Sequence, residues 1–211
     1  DAGLSDAYRA WTSLKESAMI NSAFNKRIKT SMFRYSLPVV LVLYFAFQFL
    51  SSIQAHQFKA TGTVDVYFSP KGGAAEAIIR EIDHARKDIF IQAYSFTSAP
   101  IAKALVNAHK RGVRVEVLLD KSQRTSKYSS SDFFAHAGIP TFIDSSHAIA
   151  HNKIMIIDGS TLITGSFNFT KAAEEKNAEN LLIFKGNKPL ADRYIENFDE
   201  HIEHSQRYSG R

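Results

Sequence analysis

The sequence predicts an α/β domain built on a mixed, largely parallel sheet, and three observations predict it. Short runs at 63–68, 88–95 and 113–119 are rich in Val, Ile, Leu, Tyr and Phe and are bounded by Gly, Pro or charged residues, as strands are. Between them, 74–86 and 100–109 carry apolar residues at helical spacing. The connecting loops are short, and strand–helix–strand units of this kind close as right-handed crossovers with parallel pairing.

Composition bounds the rest. A chain of 211 residues with 45% hydrophobic residues holds one packed domain and an appendage. It contains no cysteine, which excludes a disulfide framework and any thiolate metal site. The formal charge is +5, from 26 Lys and Arg against 21 Asp and Glu. Six of those bases and three of those acids fall in 1–55, so the remainder is only weakly basic and any phosphate-binding field must come from local clustering.

The chain begins with a mixed stretch, 1–31, in which 7–18 could form a short amphipathic helix, and which reads as an upstream extension if Met32 is the true start. Residues 32–55 have the layout of a secretory signal peptide: Arg34, an apolar run from Leu37 to Leu50, then small and polar residues to Ala55. An uncleaved membrane anchor and a buried core helix are the alternatives, although the run falls short of the ~20 residues of a full span. An anchor would keep Lys26, Arg27, Lys29 and Arg34 on the cytoplasmic side. Signal and anchor both place the remaining domain in the periplasm or outside the cell, with membrane contact only through 37–50 if that segment is retained.

From Gly62 the pattern is regular. Ser69-Pro70-Lys71-Gly72-Gly73 is a turn, and the helix after it turns Ile78, Ile79 and Ile82 inward. Lys110-Arg111-Gly112 ends the next helix with basic residues and a Gly stop. The stretch 121–131 then breaks the pattern with Lys121, Arg124, Lys127, Tyr128 and many hydroxyls. It is a solvated loop or, following a strand's carboxyl end, a substrate-binding one whose cations contact a nucleic-acid backbone while Tyr128 stacks on a base. A short helix at 133–137 and a short edge strand at 138–144 follow, with His147 in a surface loop. Toward the end, 171–176 is polar and turn-like, 178–184 is a strand, and 191–204 is a closing helix. His201 and His204 sit three apart on that helix, a spacing that can bind metal, but no third ligand lies nearby in sequence and no metal site is assigned.

The chemistry concentrates at 151–168. His151 and Lys153 lie two apart on a buried-looking strand, so they share a face. Asp158 closes that strand, Gly159 permits the turn, and the return strand 161–164 delivers Ser166 and Asn168, again two apart. An imidazole, an ammonium, a hydroxyl and an amide can thus converge, supplying donors for phosphate oxygens and a nitrogen able to attack phosphorus or pass a proton. His-x-Lys-x4-Asp alone arises by accident in roughly one chain in a hundred; with Gly165-Ser166-x-Asn168 at a fixed offset, accident becomes negligible.

These positions resemble the signature of the phospholipase D superfamily, His-x-Lys-x4-Asp-x6-Gly-Ser-x-Asn, and fill every fixed place in it. Over about 62–205 the chain is more narrowly similar to single-motif bacterial Nuc-type endonucleases, through the stretches 94–97, 110–113, 166–173 and 176–180. The resemblance implies the α-β-α sandwich of that superfamily and a catalytic set of His151, Lys153, Ser166, Asn168, Glu179 and Asp158. In it His151 is the nucleophile, Lys153 and Asn168 bind non-bridging oxygens, and Ser166 assists. Glu179, rather than Glu174 or Glu175, holds the nucleophile's second ring nitrogen, and Asp158 fixes the motif's turn. Only one motif copy is present, so the resemblance implies a homodimer with the site on its two-fold axis. It also implies that no metal and no cofactor is required. The leading substrate is DNA, with RNA a further candidate; a phospholipase acting on a lipid headgroup and a non-catalytic nucleic-acid-binding module are the rivals.

Overall fold

The computed structural model describes 57–59, 61–127 and 129–211. The expected extension at 1–31, the signal or anchor segment at 32–55, and Tyr128 lie outside the described residues. The unit Phe58–Arg211 carries all the elements that follow. In chain order they are β1 (Thr63–Ser69), α1 (Ala74–His84), β2 (Asp88–Ala93), α2 (Ala99–Lys110), β3 (Arg114–Asp120), a 3-10 turn (Lys121–Arg124), α3 (Ser131–His136) and β4 (Thr141–Asp144). Then come β5 (Lys153–Ile157), β6 (Thr161–Gly165), α4 (Lys171–Glu175), β7 (Glu179–Lys185), α5 (Lys188–Glu203) and β8 (Gln206–Tyr208).

All eight strands join one mixed sheet in the order β1-β7-β6-β5-β2-β3-β4-β8. The mixed sheet with flanking helices agrees with expectation; the share of parallel pairing does not. Only β2–β3 and β3–β4 are parallel, and the other five neighbouring pairs are antiparallel. The reason lies in β1. It does not pair with β2 through its crossover but goes to the far edge beside β7, in the register Thr63↔Lys185 to Ser69↔Glu179. The burial of the two strands accounts for this: β2 is buried on both faces from Ile89 to Ala93, whereas β1 exposes Val64, Val66 and Phe68 and tolerates an edge. At the other end, β8 covers β4, which is therefore not the edge strand its sequence suggests.

Strand alternation builds two cores. Ile89, Ile91, Val117, Leu119, Met155 and Ile163 face α1 to α4, meeting Ile78, Ile82, Leu105 and Phe134. Phe90, Leu118, Ile154, Ile156 and Leu162 face α5, where Phe198 packs on Phe90 with the rings tilted by 36° at a centroid distance of 5.2 Å. Each fully buried Phe, Leu or Ile contributes about 1.5–3 kcal/mol relative to exposure, so period-two alternation in these strands holds both helix layers on.

The 171–176 stretch, expected to be turn-like, is helical from Lys171 to Glu175 because the Thr170 hydroxyl accepts from the Ala173 amide. That helix places Glu174 where its carboxylate accepts from the amides of Gly73 (3.1 Å) and Ala75 (2.8 Å), capping α1 with a negative charge at its amino end. Among the described residues no helix is long and apolar enough to cross a membrane.

β1, β2, β3, β4 and β6 run one way and β5, β7 and β8 the other. The carboxyl ends of the first group therefore share one sheet edge with the amino ends of the second. Loops at such an edge line the binding crevice of open α/β sheets.

Candidate active site

His151 and Lys153 enter β5 at that edge, opposite the end of β2: Lys153 pairs with Ala93, and the Tyr94 amide donates to the Asn152 carbonyl at 2.8 Å. The two side chains do lie on one side, since the Tyr94 ring touches both. It sits 4.5 Å from the His151 ring by centroid, and the Lys153 ammonium lies 5.2 Å above it. They differ in burial. His151 is exposed, and among the described residues its ring makes no side-chain hydrogen bond. Lys153 is only 7% exposed and donates one proton to the His151 carbonyl at 2.8 Å. Burial pushes the Lys153 ammonium below the ordinary lysine range, and the nearby Glu179 charge opposes that fall. A buried ammonium with protons to spare and an open imidazole, both against the Tyr94 ring, suit an anion.

Ser166 and Asn168 follow β6. Phe167 and Phe169 between and beyond them are buried, at 1% and 0%, and Thr97 and Ser98 donate to the Phe169 carbonyl. Anchoring the alternate residues in the core holds the Ser166 and Asn168 positions. Gly165 makes the entry possible: at φ 147° its backbone lies against β7, and a Cβ there would meet the Asn180 carbonyl oxygen at 2.3 Å. The Ser166 hydroxyl donates to Glu179 Oε2 at 2.6 Å and accepts from the Asn180 amide at 3.1 Å, while Asn177 Nδ2 donates to Glu179 Oε1 at 3.1 Å. Ser166 has a single proton, and Glu179 takes it. Ser166 therefore positions Glu179 here rather than offering a donor to substrate, and Glu179 is held by Ser166 and Asn177 rather than by the imidazole of its own His151. The Oδ1 of Asn168 is buried without a hydrogen-bond partner, which costs about 1–3 kcal/mol and marks a polar group kept for something other than stability.

Asp158 stands apart from the set it was grouped with. It lies beyond the opposite end of β5, roughly 20 Å of strand from His151. Its carboxylate accepts from the amides of Arg86, Lys87 and Asp88 at 2.7–3.2 Å. With φ 52° at Asp158 and 62° at Gly159, the turn has the two positive-φ central residues of a type I′ hairpin. Asp158 fixes the motif's turn and touches no other member of the set.

Of the loop candidates, Lys121 and Arg124 are exposed at the end of β3, on the same sheet edge as His151. Lys121 donates to the His147 carbonyl at 2.9 Å and Arg124 to Gln206 at 2.9 Å; Lys127 is also exposed. The loop is pinned rather than merely solvated: Gln123 is buried and accepts from the Phe96 amide, and Ser131 donates to the Gln123 carbonyl. Glu175 pairs with Lys171, so of the three acids considered only Glu179 reaches the site.

Two further residues contribute to the site without belonging to the motif. Tyr94 supplies the ring against which His151 and Lys153 rest. Buried Asp120 accepts from the Ser122 amide with one oxygen and from the Ala150 amide with the other (2.8 Å), tying the approach to His151 to the end of β3. Each depends on a strand partner distant in sequence, so only their Asp or Tyr at a strand end could have signalled them. His147 is in an exposed loop, as expected, and its side chain also gathers with His201, His204 and Asp144 into one four-residue cluster.

Comparison with known proteins identifies the family. Residues 78–202 match the family described as cardiolipin synthase, PLD-like domain. A phospholipase D of Rickettsia felis is 44% identical over 135 residues, covering 64% of this chain and 67% of that protein. A mitochondrial cardiolipin hydrolase of Chlamydomonas reinhardtii is 34% identical over 116 residues, 55% of this chain and 52% of its own length. Among solved structures, Nuc from Salmonella typhimurium, a phospholipase D family member, superposes with a TM-score of 0.67 at 40% identity, covering 69% of this chain and 97% of that one. With the motif filled, His151, Lys153, Ser166 and Asn168 at one sheet edge and the family match spanning more than half its length, this chain belongs to the phospholipase D superfamily and is a phosphodiesterase of that class.

Proposed function

We propose that the protein is a non-specific endonuclease that hydrolyses DNA, and RNA as a second substrate, through a phosphohistidine in a homodimeric site, without metal or cofactor. The observation that carries this reading is one exposed imidazole without a side-chain hydrogen bond, sharing the Tyr94 ring with a buried ammonium, in a chain with a single motif copy. Displacement through a covalent intermediate needs both a nucleophile and an acid, and a second copy of His151 across a two-fold axis supplies the acid. One His151 attacks phosphorus; the P–N bond forms as the P–O bond to the leaving oxygen breaks, and that oxygen takes its proton from the other copy's imidazole. Water then attacks phosphorus, gives a proton to that imidazole, and releases the first. Lys153 and the Asn168 amide stabilise the charge on the non-bridging oxygens.

Nucleic acid is favoured by the Nuc-type stretches, by the likeness to Nuc, and by Lys121 and Arg124 along the same edge as His151. The apolar run 37–50 supports export of the domain to the periplasm or beyond, or its anchoring there. A lipid phosphodiester is the second reading. It is supported by relatives called phospholipase D and cardiolipin hydrolase, and by Ile149, 58% exposed two residues before His151, where an acyl chain could rest.

The test incubates the full untagged chain with plasmid DNA, RNA and anionic phospholipid vesicles, each in excess EDTA. Cleavage of both nucleic acids is expected, with the His151→Asn variant inactive yet still dimeric. Cleavage of vesicle lipid alone would move the assignment to the second reading. A monomer cutting plasmid at full rate, or activity retained in His151→Asn, would overturn the mechanism.

A further inference from the structure

We infer that the end of α5 and the turn after β4 form a divalent transition-metal site, with Asp144, His147, His201 and His204 as its four ligands. The two halves lie more than fifty residues apart, as Asp-x2-His after a strand and His-x2-His on the last turn of a helix. Residues three apart on a helix share a face, so His201 and His204 present their rings together. One ligand atom from each of the four residues can be chosen so that all lie within 4.8 Å of one another.

The carboxylate is built for this role. Asp144 is fully buried, and its Oδ1 is engaged by the Ser146 amide at 2.9 Å. Its Oδ2 faces three imidazoles: His201 Nδ1 at 2.8 Å, His147 Nδ1 at 2.9 Å and His204 Nε2 at 3.4 Å. The three rings pack on one another at centroid distances of 4.7–5.3 Å. As three cations they would repel, and as three neutral donors they would crowd one acceptor. A single cation engages all four lone pairs and removes both conflicts.

Three imidazole nitrogens and one carboxylate oxygen suit zinc, cobalt or nickel and not magnesium or calcium, which take oxygen ligands. Four protein ligands make a closed, structural site. Tetrahedral bonds of ~2.0–2.1 Å set ligand atoms about 3.4 Å apart, so the widest-spaced atoms, at most 4.8 Å apart, close by up to about 1.4 Å while Asp144 Oδ2 and its partners on His147 and His201 part by about 0.5 Å. The side chains of His147 and His204, 46% and 35% exposed, have room to do so. Backbone supports are in place: Ser205 Oγ donates to the His201 carbonyl at 2.7 Å and Ser146 Oγ to that of His204 at 3.4 Å.

The ion would staple α5 to β4 and, through the Lys121 bond to the His147 carbonyl, steady the substrate-side loop. β4 lies three strand spacings from β5, about 14 Å, so the ion takes no part in P–O cleavage.

The experiment titrates the full, untagged, metal-free chain with Zn2+ by calorimetry and with Co2+ by visible absorption, and follows melting with and without zinc. One equivalent per chain, four-coordinate Co2+ bands and a zinc-dependent rise in melting temperature on the order of 5–10 °C at a hundredfold excess over Kd are expected. All three should persist in His151→Ala and vanish in the His201→Ala/His204→Ala double variant. Should the double variant fail to fold, His147→Ala, altering an exposed loop side chain, is expected to weaken zinc binding by on the order of 100-fold with an unchanged circular dichroism spectrum. Absence of stoichiometric binding by the folded wild type overturns the assignment. So does zinc affinity unchanged in the double variant or in His147→Ala, and so does loss of binding in His151→Ala, which would place the ion at the catalytic imidazole.

Discussion

Replacing Gly165 with alanine tests the claim that the close approach of β6 to β7 builds the site. A Cβ at Gly165 would lie 2.3 Å from the Asn180 carbonyl oxygen, 3.1 Å from its carbon and 3.2 Å from Leu181 Cα. Van der Waals contact begins near 3.5 Å, so the strands must part by about 1 Å. The obstacle is backbone within a paired strand and cannot rotate away. Parting the strands weakens the bonds that Ser166 and Phe167 donate to the Asn180 carbonyl, now 3.1 and 3.3 Å, each worth about 1 kcal/mol. The φ of 147° adds about 1–3 kcal/mol of strain for any residue with a side chain. The total, roughly 3–5 kcal/mol, is a large fraction of the 5–15 kcal/mol a domain usually has. Catalysis should suffer separately, because Ser166 and Glu179 ride on the two strands that separate, and a displacement of about 1 Å costs on the order of 100-fold. Urea unfolding gives the first quantity, and kcat on a chromogenic phosphodiester under conditions where the variant is folded gives the second. A Gly165→Ala variant within about 0.5 kcal/mol of wild type and with equal kcat would refute the packing argument.

Three other perturbations follow from the same geometry. Asp158→Ala removes the acceptor for three backbone amides and should cost about 2–4 kcal/mol in urea unfolding while leaving kcat per folded molecule unchanged; a large kcat loss in folded protein would return Asp158 to the chemistry. Burial lowers the Lys153 pKa and Glu179 partly restores it, so the alkaline limb of kcat/KM should fall below the ordinary lysine range, and in Glu179→Gln move lower still. An upward shift in that variant would contradict the assignment. The hydrogen bonds from Arg211 and Tyr208 hold Asp132 down at about 2. A carboxylate depressed in the folded state contributes stability above pH 3.8 that is lost as pH falls through about 2. Asp132→Asn should therefore be less stable than wild type near pH 5, with urea midpoints converging near pH 2; a constant gap would remove the linkage.

Local chemistry made much of the molecule legible. The short apolar runs of β2, β3 and β5 and the amphipathic faces of α1 and α2 appear within a residue or two of expectation, because a buried strand or helix face needs apolar residues at local spacing. α4 and β8 were not legible. The first depends on a Thr170 cap within a polar stretch, and the second is a three-residue strand whose only reason to exist is the open side of β4. Glu174 read as a spare acid near the motif. Its actual work, capping α1, depends on an amide 101 residues away.

By itself, the sequence determined the motif, its place on a strand and return strand, the glycine that lets them close, and the superfamily those residues belong to. Each is a matter of residue type at fixed spacing, and backbone geometry carries spacing directly into space. Only the tertiary structure decided that β1 leaves its crossover neighbour for β7, that the Ser166 proton goes to Glu179, and that Asp144 and His147 meet His201 and His204. Those outcomes rest on which elements lie side by side once two cores are sealed. That choice depends on burial summed over the whole sheet, a quantity no window of sequence contains.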